Sequence, residues 1–381
     1  MDLDLSPDAR AFLERVERFA RERVAPAAAA IDDSATFPRE LVAESAALGL
    51  MGVTLPAAYG GAGQDYVTYA LAVEAVARAS ATLGVILAVN NSLVAEPILE
   101  FGSDDQKQAW LPALASGRVI GAFALSEAHA GSDAAHQNTT ARLDDTGYVL
   151  RGTKVWVSSA EACDVVLAFA ATAPASDARA IGAFLIPADA AGLERGPVLD
   201  SLGVRGLGCQ DLTFDDVRVD AGGLLGTPGH GFRIAMWALE GCRIAIAAQA
   251  LGIGQAALDE ALAHARTREQ FGQPIANFQA IQFMLADIAT ELEAARMLTL
   301  KAADAKTRQP RVLLEASMAK LEASEAAHRA ADRALQILGA AGYERGNTAE
   351  RLFRDARVTE IYPGTSEVQR MVIAEMILGK R

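Results

Sequence analysis

The chain has 381 residues, of which 51% are hydrophobic and 22% charged, with a formal net charge of −13. That length supports a large core and two or three domains, and the acidic balance excludes a phosphate-backbone partner, which needs a basic stripe. No uninterrupted apolar run reaches membrane-spanning length; the nearest, Ile244–Leu258, holds Gln249 and Gln255 and reads as a helix buried on most sides.

In chain order, residues 1–118 read as a helical domain. The opening MDLDLSPDAR has no basic segment followed by an apolar one, which predicts no signal peptide and a cytoplasmic protein. Ser6-Pro7 pairs an N-cap with proline at the first helical position, and Phe12, Val16 and Phe19 recur at helical spacing. Pro38 to Leu48 forms a second helix ended by Gly49, and a third runs from about Thr68 to Val89. Ser103 with Gln106 is a capping-box start for another.

Residues 119–222 change character. TGYVLRGTKVWVSS, VVLAFAAT, AIGAFLIP and DLTFDDVRV are strand-length pieces punctuated by Gly and Pro, which predicts an antiparallel β-domain. Residues 223–381 return to helices, at Gly229–Arg268, Phe278–Lys306, Arg311–Leu338 and Thr365–Leu378. The order α, then β, then α argues against a parallel βαβ fold. In EIYPGTSEVQ, Pro363 and Gly364 suit the two central positions of a turn, and Thr365 or Ser366 caps the helix that follows.

GGAGQD completes no dinucleotide-binding fingerprint, and the chain lacks a P-loop, a zinc-protease helix and a nucleophile elbow. Its five histidines form no metal pair by spacing, and Cys163, Cys209 and Cys242 form no CxxC pair and read as reduced structural residues. Pattern alone stops at a large α–β–α protein with the marks of an enzyme.

Four separated segments go further: FALSEAHAGSD (Phe123 to Asp133), KVWVSS (Lys154 to Ser159), TREQFGQPIANFQAIQF (Thr267 to Phe283) and QILGAAGY…RDARVTEIYPGTSE (Gln336 to Glu367). Together they resemble the acyl-CoA dehydrogenase family, nearest its short-chain (butyryl-CoA) branch. AVNNSL, FGSDDQKQAWLP, LGVRG, GFRIAM and QALGIGQAALD extend the likeness over nearly the whole chain. The resemblance implies a mainly α fold with an N-terminal helical domain, a central β-barrel-like domain and a C-terminal four-helix domain. It also implies FAD, a homotetramer built as a dimer of dimers, a role in fatty acid metabolism and an electron-transferring flavoprotein as partner.

The resemblance also implies roles for single residues. Phe123, Leu125, Ser126, Ser132, Trp156, Val157 and Ser158 would line the flavin, with Ser132 also near substrate. Arg268, Phe271 and Gln279 would reach a neighbouring subunit's FAD, where arginine suits a pyrophosphate. Gln336, Leu338 and Gly339 would lie on the adenosine part, and Thr365, Ser366 and Glu367 would complete the flavin's surroundings. Glu240, Arg243 and Gly364 would meet the acyl-CoA. Plainer readings stay open beside these: Trp156 as core, Ser126 and Ser132 as turn residues, Arg268 in a surface ion pair, Glu240 facing solvent and Cys242 as packing.

One position departs from the family. Most relatives read YEGTS, and the glutamate takes the α-proton of the acyl thioester while hydride leaves the β-carbon for flavin N5. Pro363 occupies that position here. Proline accepts no proton and has no backbone N–H to help hold the thioester oxygen. The general base is therefore missing or relocated, with Glu240 as one replacement. The alternatives are the same flavin scaffold doing chemistry without α-proton abstraction, such as acyl-CoA desulfination, or a non-catalytic acyl-CoA-binding partner subunit.

Overall fold

The computed structural model describes residues 4–172 and 180–379. Seven helices come first: α1 (Pro7–Phe19), α2 (Ala25–Ser34), α3 (Arg39–Ala47), α4 (Tyr66–Ala79), α5 (Ala81–Ala88), α6 (Glu96–Phe101) and α7 (Asp104–Ala115). Ser6 caps α1 through the Ala9 N–H, and Ser103 and Gln106 close a reciprocal capping box on α7, as their spacing predicts. The helix expected from Thr68 to Val89 is two. Ser80 leaves helical geometry and caps α5 through the Leu83 N–H, so the chain turns there. A π-helical stretch, Val89–Ala95, joins α5 to α6.

Eight strands follow: β1 (Gly121–Ala124), β2 (Thr140–Asp144), β3 (Gly147–Val157), β4 (Val165–Ala171), β5 (Ile181–Pro187), β6 (Leu193–Arg195), β7 (Gln210–Asp220) and β8 (Leu224–Leu225). They run β6-β7-β3-β2-β4-β5-β8, with β1 beside β4. The long pairings are antiparallel, as expected, but β1 and β4 pair in parallel, Gly121 opposite Val165. Alternation along β3 and β7 turns Leu150, Leu212, Phe214 and Val217 into a core with Phe184 and Ile186.

The chain then makes α8 (Gly231–Thr267), a small hairpin of β9 (Glu269–Gln270) and β10 (Gln273–Pro274), α9 (Gln279–Arg308), α10 (Leu313–Leu338), α11 (Ala340–Tyr343), α12 (Thr348–Thr359) and α13 (Ser366–Ile377). α12 falls between the helices expected from the sequence. Helix α8 packs on α10 and α4 along an alanine-rich seam that includes Ala257, Ala261, Ala323 and Ala327. These small side chains let the backbones approach closely. One apolar cluster runs from Val16 and Tyr69 through Leu111 to Ile253 and Ala330, so the first and last helical regions share a core. Two helical stretches, Ala81–Phe101 and Gly231–Thr267, are long and apolar enough to cross a membrane by length and composition, and both are mostly buried inside the protein.

Candidate active site

The first part of the site is a loop held from below. Lys154, on β3, is wholly buried and donates to the Leu125 carbonyl at 3.1 Å, Glu127 at 2.7 Å and Gln137 at 3.0 Å. Glu127 also accepts from the Asn138 and Thr139 N–H groups at 2.7 and 3.0 Å. Burial brings the Lys154 pKa down to about 8, while the Glu127 contact opposes that fall. The same loop is pinned by Val155, whose N–H donates to the Ser126 carbonyl at 2.9 Å. Ser126 and Trp156 are thereby neighbours.

Trp156 is the unusual residue of this strand. The β3–β7 register slips between Lys154 and Val157, and Trp156 sits in that irregularity at φ 56°. A bulky residue at positive φ is strained, and bulges re-aim side chains. Here the indole is 61% exposed, so the reading of Trp156 as plain core is corrected. Ser158, two residues on, is half-buried with its hydroxyl 3.8 Å from the Cys209 sulfur. Leu125 and Val157 turn their side chains into the core, leaving only backbone for a ligand, while Phe123 packs on Phe169 and Ser132 is exposed in the loop.

The second part is the turn before α13. Gly364 has φ 84°, which only glycine adopts cheaply, and Thr365 caps α13 through the Val368 N–H at 3.3 Å. The Gly364 carbonyl accepts from Lys320 at 3.0 Å and from Gln369 at 2.9 Å, and Gln369 also reaches the Pro363 carbonyl at 3.3 Å. Tyr362 donates to Gln249 on α8 at 2.7 Å. Lys320 is fully buried and makes no ion pair among the described residues; burial, then Arg243, brings its pKa down to about 7. Arg243 is buried one residue beyond Cys242 and lies 3.5 Å from the Ser317 hydroxyl. The Cys242 thiol, pushed up to about 12 chiefly by burial, is a poor base.

Glu240 neither faces solvent nor offers a free carboxylate. It is fully buried, bonded to Arg311 at 2.6 Å and to the Val312 N–H at 2.8 Å, so it fastens α8 to the start of α10. The expectation that it replaces the missing base is corrected on that ground: both oxygens are committed to structure.

The remaining positions stay apart. Arg268 and Phe271 stand on the β9–β10 hairpin, Phe271 93% exposed, with Gln279 exposed at the start of α9. Gln336 and Gly339 are exposed at the end of α10, Leu338 is in the core, and Glu367 is exposed on α13. Glu367 adjoins the Pro363 turn through Thr365. Among the described residues no hydrogen bond ties the hairpin and α10 groups to the Ser126 loop or that turn.

A flavin needs an aromatic or apolar wall and polar groups free to bond it. The exposed Trp156 supplies the first. For the second, the Ser366 hydroxyl, the Gln369 carbonyl oxygen and the Ser159 hydroxyl are buried with no hydrogen-bond partner among the described residues. Buried polar atoms are seldom left so, and these residues fit a ligand that would satisfy them. Sequence reasoning had not found Lys154, Glu127, Lys320 or Gln369, whose roles depend on partners distant in the chain.

The chain matches three family models: acyl-CoA dehydrogenase N-terminal domain over residues 6–118, middle domain over 122–217 and C-terminal domain over 229–378. It is 48% identical to the human short-chain specific acyl-CoA dehydrogenase, mitochondrial, across 96% of this chain and 89% of that one. It is 46% identical to an acyl-CoA dehydrogenase of Bacillus subtilis, across 96% of both. Among solved structures, butyryl-CoA dehydrogenase from Megasphaera elsdenii superposes with a TM-score of 0.97 at 39% identity, covering 99% of this chain and 100% of that one. A glutaryl-coenzyme A dehydrogenase–glutaryl-CoA complex does so at 0.97 and 35%, covering 100% and 98%. The chain therefore belongs to the acyl-CoA dehydrogenase family, whose members are FAD-dependent oxidoreductases acting on the CH–CH bonds of acyl-CoA thioesters.

Proposed function

We propose that this protein oxidises the Cα–Cβ bond of a short acyl-CoA thioester with FAD, without a carboxylate at the usual turn position. The observation that carries the reading is the set of partnerless buried polar atoms beside the Pro363 turn, Ser366 and Gln369, in a chain so close to short-chain enzymes. Bound FAD would supply the hydride acceptor. Trp156, Ser126 and Ser158 would orient its ring system, and Lys320 and Gln369 fix the turn that lies over the substrate. Pro363 can neither take a proton nor donate an N–H to the thioester oxygen. Arg268, Phe271 and Gln279 would complete the flavin site of a neighbouring subunit in a homotetramer, and electrons would pass to an electron-transferring flavoprotein. We place the protein in the cytoplasm.

The test is anaerobic addition of butyryl-CoA to the purified protein. A yellow preparation that bleaches supports the reading. Pro363→Glu restores an N–H donor, worth about 10²–10³ in rate, and adds a carboxylate. Bleaching should therefore quicken by about 10²-fold or more. An unchanged rate, with FAD and acyl-CoA bound, counts against this placement of the turn. Turnover of another acyl-CoA without bleaching would favour chemistry that removes no α-proton.

A further inference from the structure

The turn before α13 carries two backbone donors that the fold leaves unused. The Ile361 and Tyr362 N–H groups donate to the Val358 carbonyl, and the Ser366 N–H to the Glu360 carbonyl. Pro363, between them, has no N–H. The Gly364 and Thr365 N–H groups donate to nothing among the described residues. Both residues are half-buried, so a ligand can reach them.

The carbonyls behind these donors set their direction. No peptide bond among the described residues is cis, and in a trans peptide the N–H points opposite to the carbonyl. The Pro363 carbonyl accepts from the Gln369 amide at 3.3 Å, so the Gly364 N–H points away from Gln369. The Gly364 carbonyl accepts from the same amide at 2.9 Å and from Lys320 at 3.0 Å, so the Thr365 N–H points away from both. Successive N–H groups of a turn make a concavity that suits negative charge. The acids on either side are engaged elsewhere, Glu360 by His328 and Arg357, and Glu367 on the Thr365 hydroxyl. Independently of the backbone, the buried Ser366 hydroxyl and Gln369 carbonyl oxygen have no partners, which marks the turn as the place of a polar ligand. Of the two N–H groups, that of Gly364 lies nearer the position it would serve for, and no side chain screens it.

We propose that the Gly364 N–H holds the acyl thioester oxygen in this chain, in place of the N–H that Pro363 lacks. The proposal rests on the acyl-CoA dehydrogenase reading above. The donor thus moves along the turn by one peptide. Loss of the α-proton puts negative charge on the thioester oxygen, and a fixed donor aimed at it favours that charge. The gain expected from Pro363→Glu then comes from its carboxylate.

The experiment uses acetoacetyl-CoA on the FAD-loaded protein. Its α C–H, between two carbonyls, ionises without help from a protein base, and the charge rests partly on the thioester oxygen. The ionisation constant of the bound ligand, followed by the long-wavelength absorbance of the enolate against oxidised flavin, therefore reads the donors alone. Gly364→glycolate puts an ester oxygen where the N–H stands and keeps the turn. It should lower the ionisation constant by about 10²-fold. Pro363→Ala returns the missing N–H without a carboxylate. It should raise the constant by less than tenfold in the natural chain and recover most of the loss in the ester chain. An ester chain that ionises the ligand like the natural one overturns the proposal. So does a gain of about 10²-fold from Pro363→Ala alone, which would mean that the oxygen had no donor. So does a larger loss when Thr365 is replaced by its α-hydroxy acid. If the ester chain does not fold, Pro363→Ala decides the matter. A natural chain that binds neither FAD nor acetoacetyl-CoA defeats the underlying activity as well, which separates the two failures.

Discussion

Replacing Lys320 with Met should stabilise the protein in acid and cease to do so in alkali. The ammonium is fully buried, and burial, then Arg243, brings its pKa from 10.5 to about 7. Below pH 7 the lysine is charged in both states, and the folded protein bears the whole penalty. Between pH 7 and 10.5 the unfolded chain holds a proton that the folded one lacks, so stability climbs with pH as the penalty fades. The fall from 10.5 to about 7 corresponds to ~5 kcal/mol. Against this stands the lost bond to Gly364, worth about 1.5–3 kcal/mol for a charged donor. The Gly364 carbonyl keeps Gln369 at 2.9 Å, so it is not orphaned. The balance is a gain of roughly 2–3 kcal/mol near pH 6. At pH 9.5 the penalty has faded to ~1 kcal/mol, and the gain vanishes or reverses. Urea unfolding of both proteins, followed by far-UV circular dichroism at pH 6, 8 and 9.5, reads this crossover. A variant less stable at pH 6, with the wild-type pH slope, would refute the reasoning.

Two further substitutions probe the scaffold. Lys154→Met strips buried Glu127 of its lysine beneath the Ser126 loop, leaving only His129 at 3.7 Å as an ion-pair partner, and should cost about 3–5 kcal/mol of stability and loosen flavin retention, seen in urea midpoints and in absorbance after gel filtration. Gly252→Ala places a methyl 2.5 Å from the Glu74 carbonyl and 2.6 Å from the Arg78 N–H, where α8 crosses α4; about 1–3 kcal/mol should be lost, and an unchanged melting temperature would mean that the helices lie farther apart.

What could be read in the sequence was what short range decides. The Ser6 and Ser103 caps, the alternating strands and the Pro363–Gly364 turn all depend on residues within a few positions of one another. The family motifs added the residues proposed for the flavin, because each motif is itself short. Helix α12 was missed because it is mostly polar and buries only one narrow stripe, including Leu352 and Ala356. The parallel pairing of β1 with β4 joins segments more than forty residues apart, and no periodicity announces it. The same holds for the polar interior. Glu96 stands in LVAEPIL like any helix-opening glutamate, and only the folded chain brings Thr54, Tyr66 and Gly241 around it. Lys320 lies in an alanine-rich helix, and its partner Gly364 is 44 residues on.

The junction at Asp355 has a wider consequence. Asp355 holds the Val204 N–H, its neighbour Arg354 grips Asp32 on α2, and Gly203 lies against the Arg354 backbone with no space for a side chain. Three stretches from the beginning, middle and end of the chain are thus riveted at one point. None can peel away without prising loose the other two, so a protease cutting at that seam would meet either an intact molecule or one opened throughout.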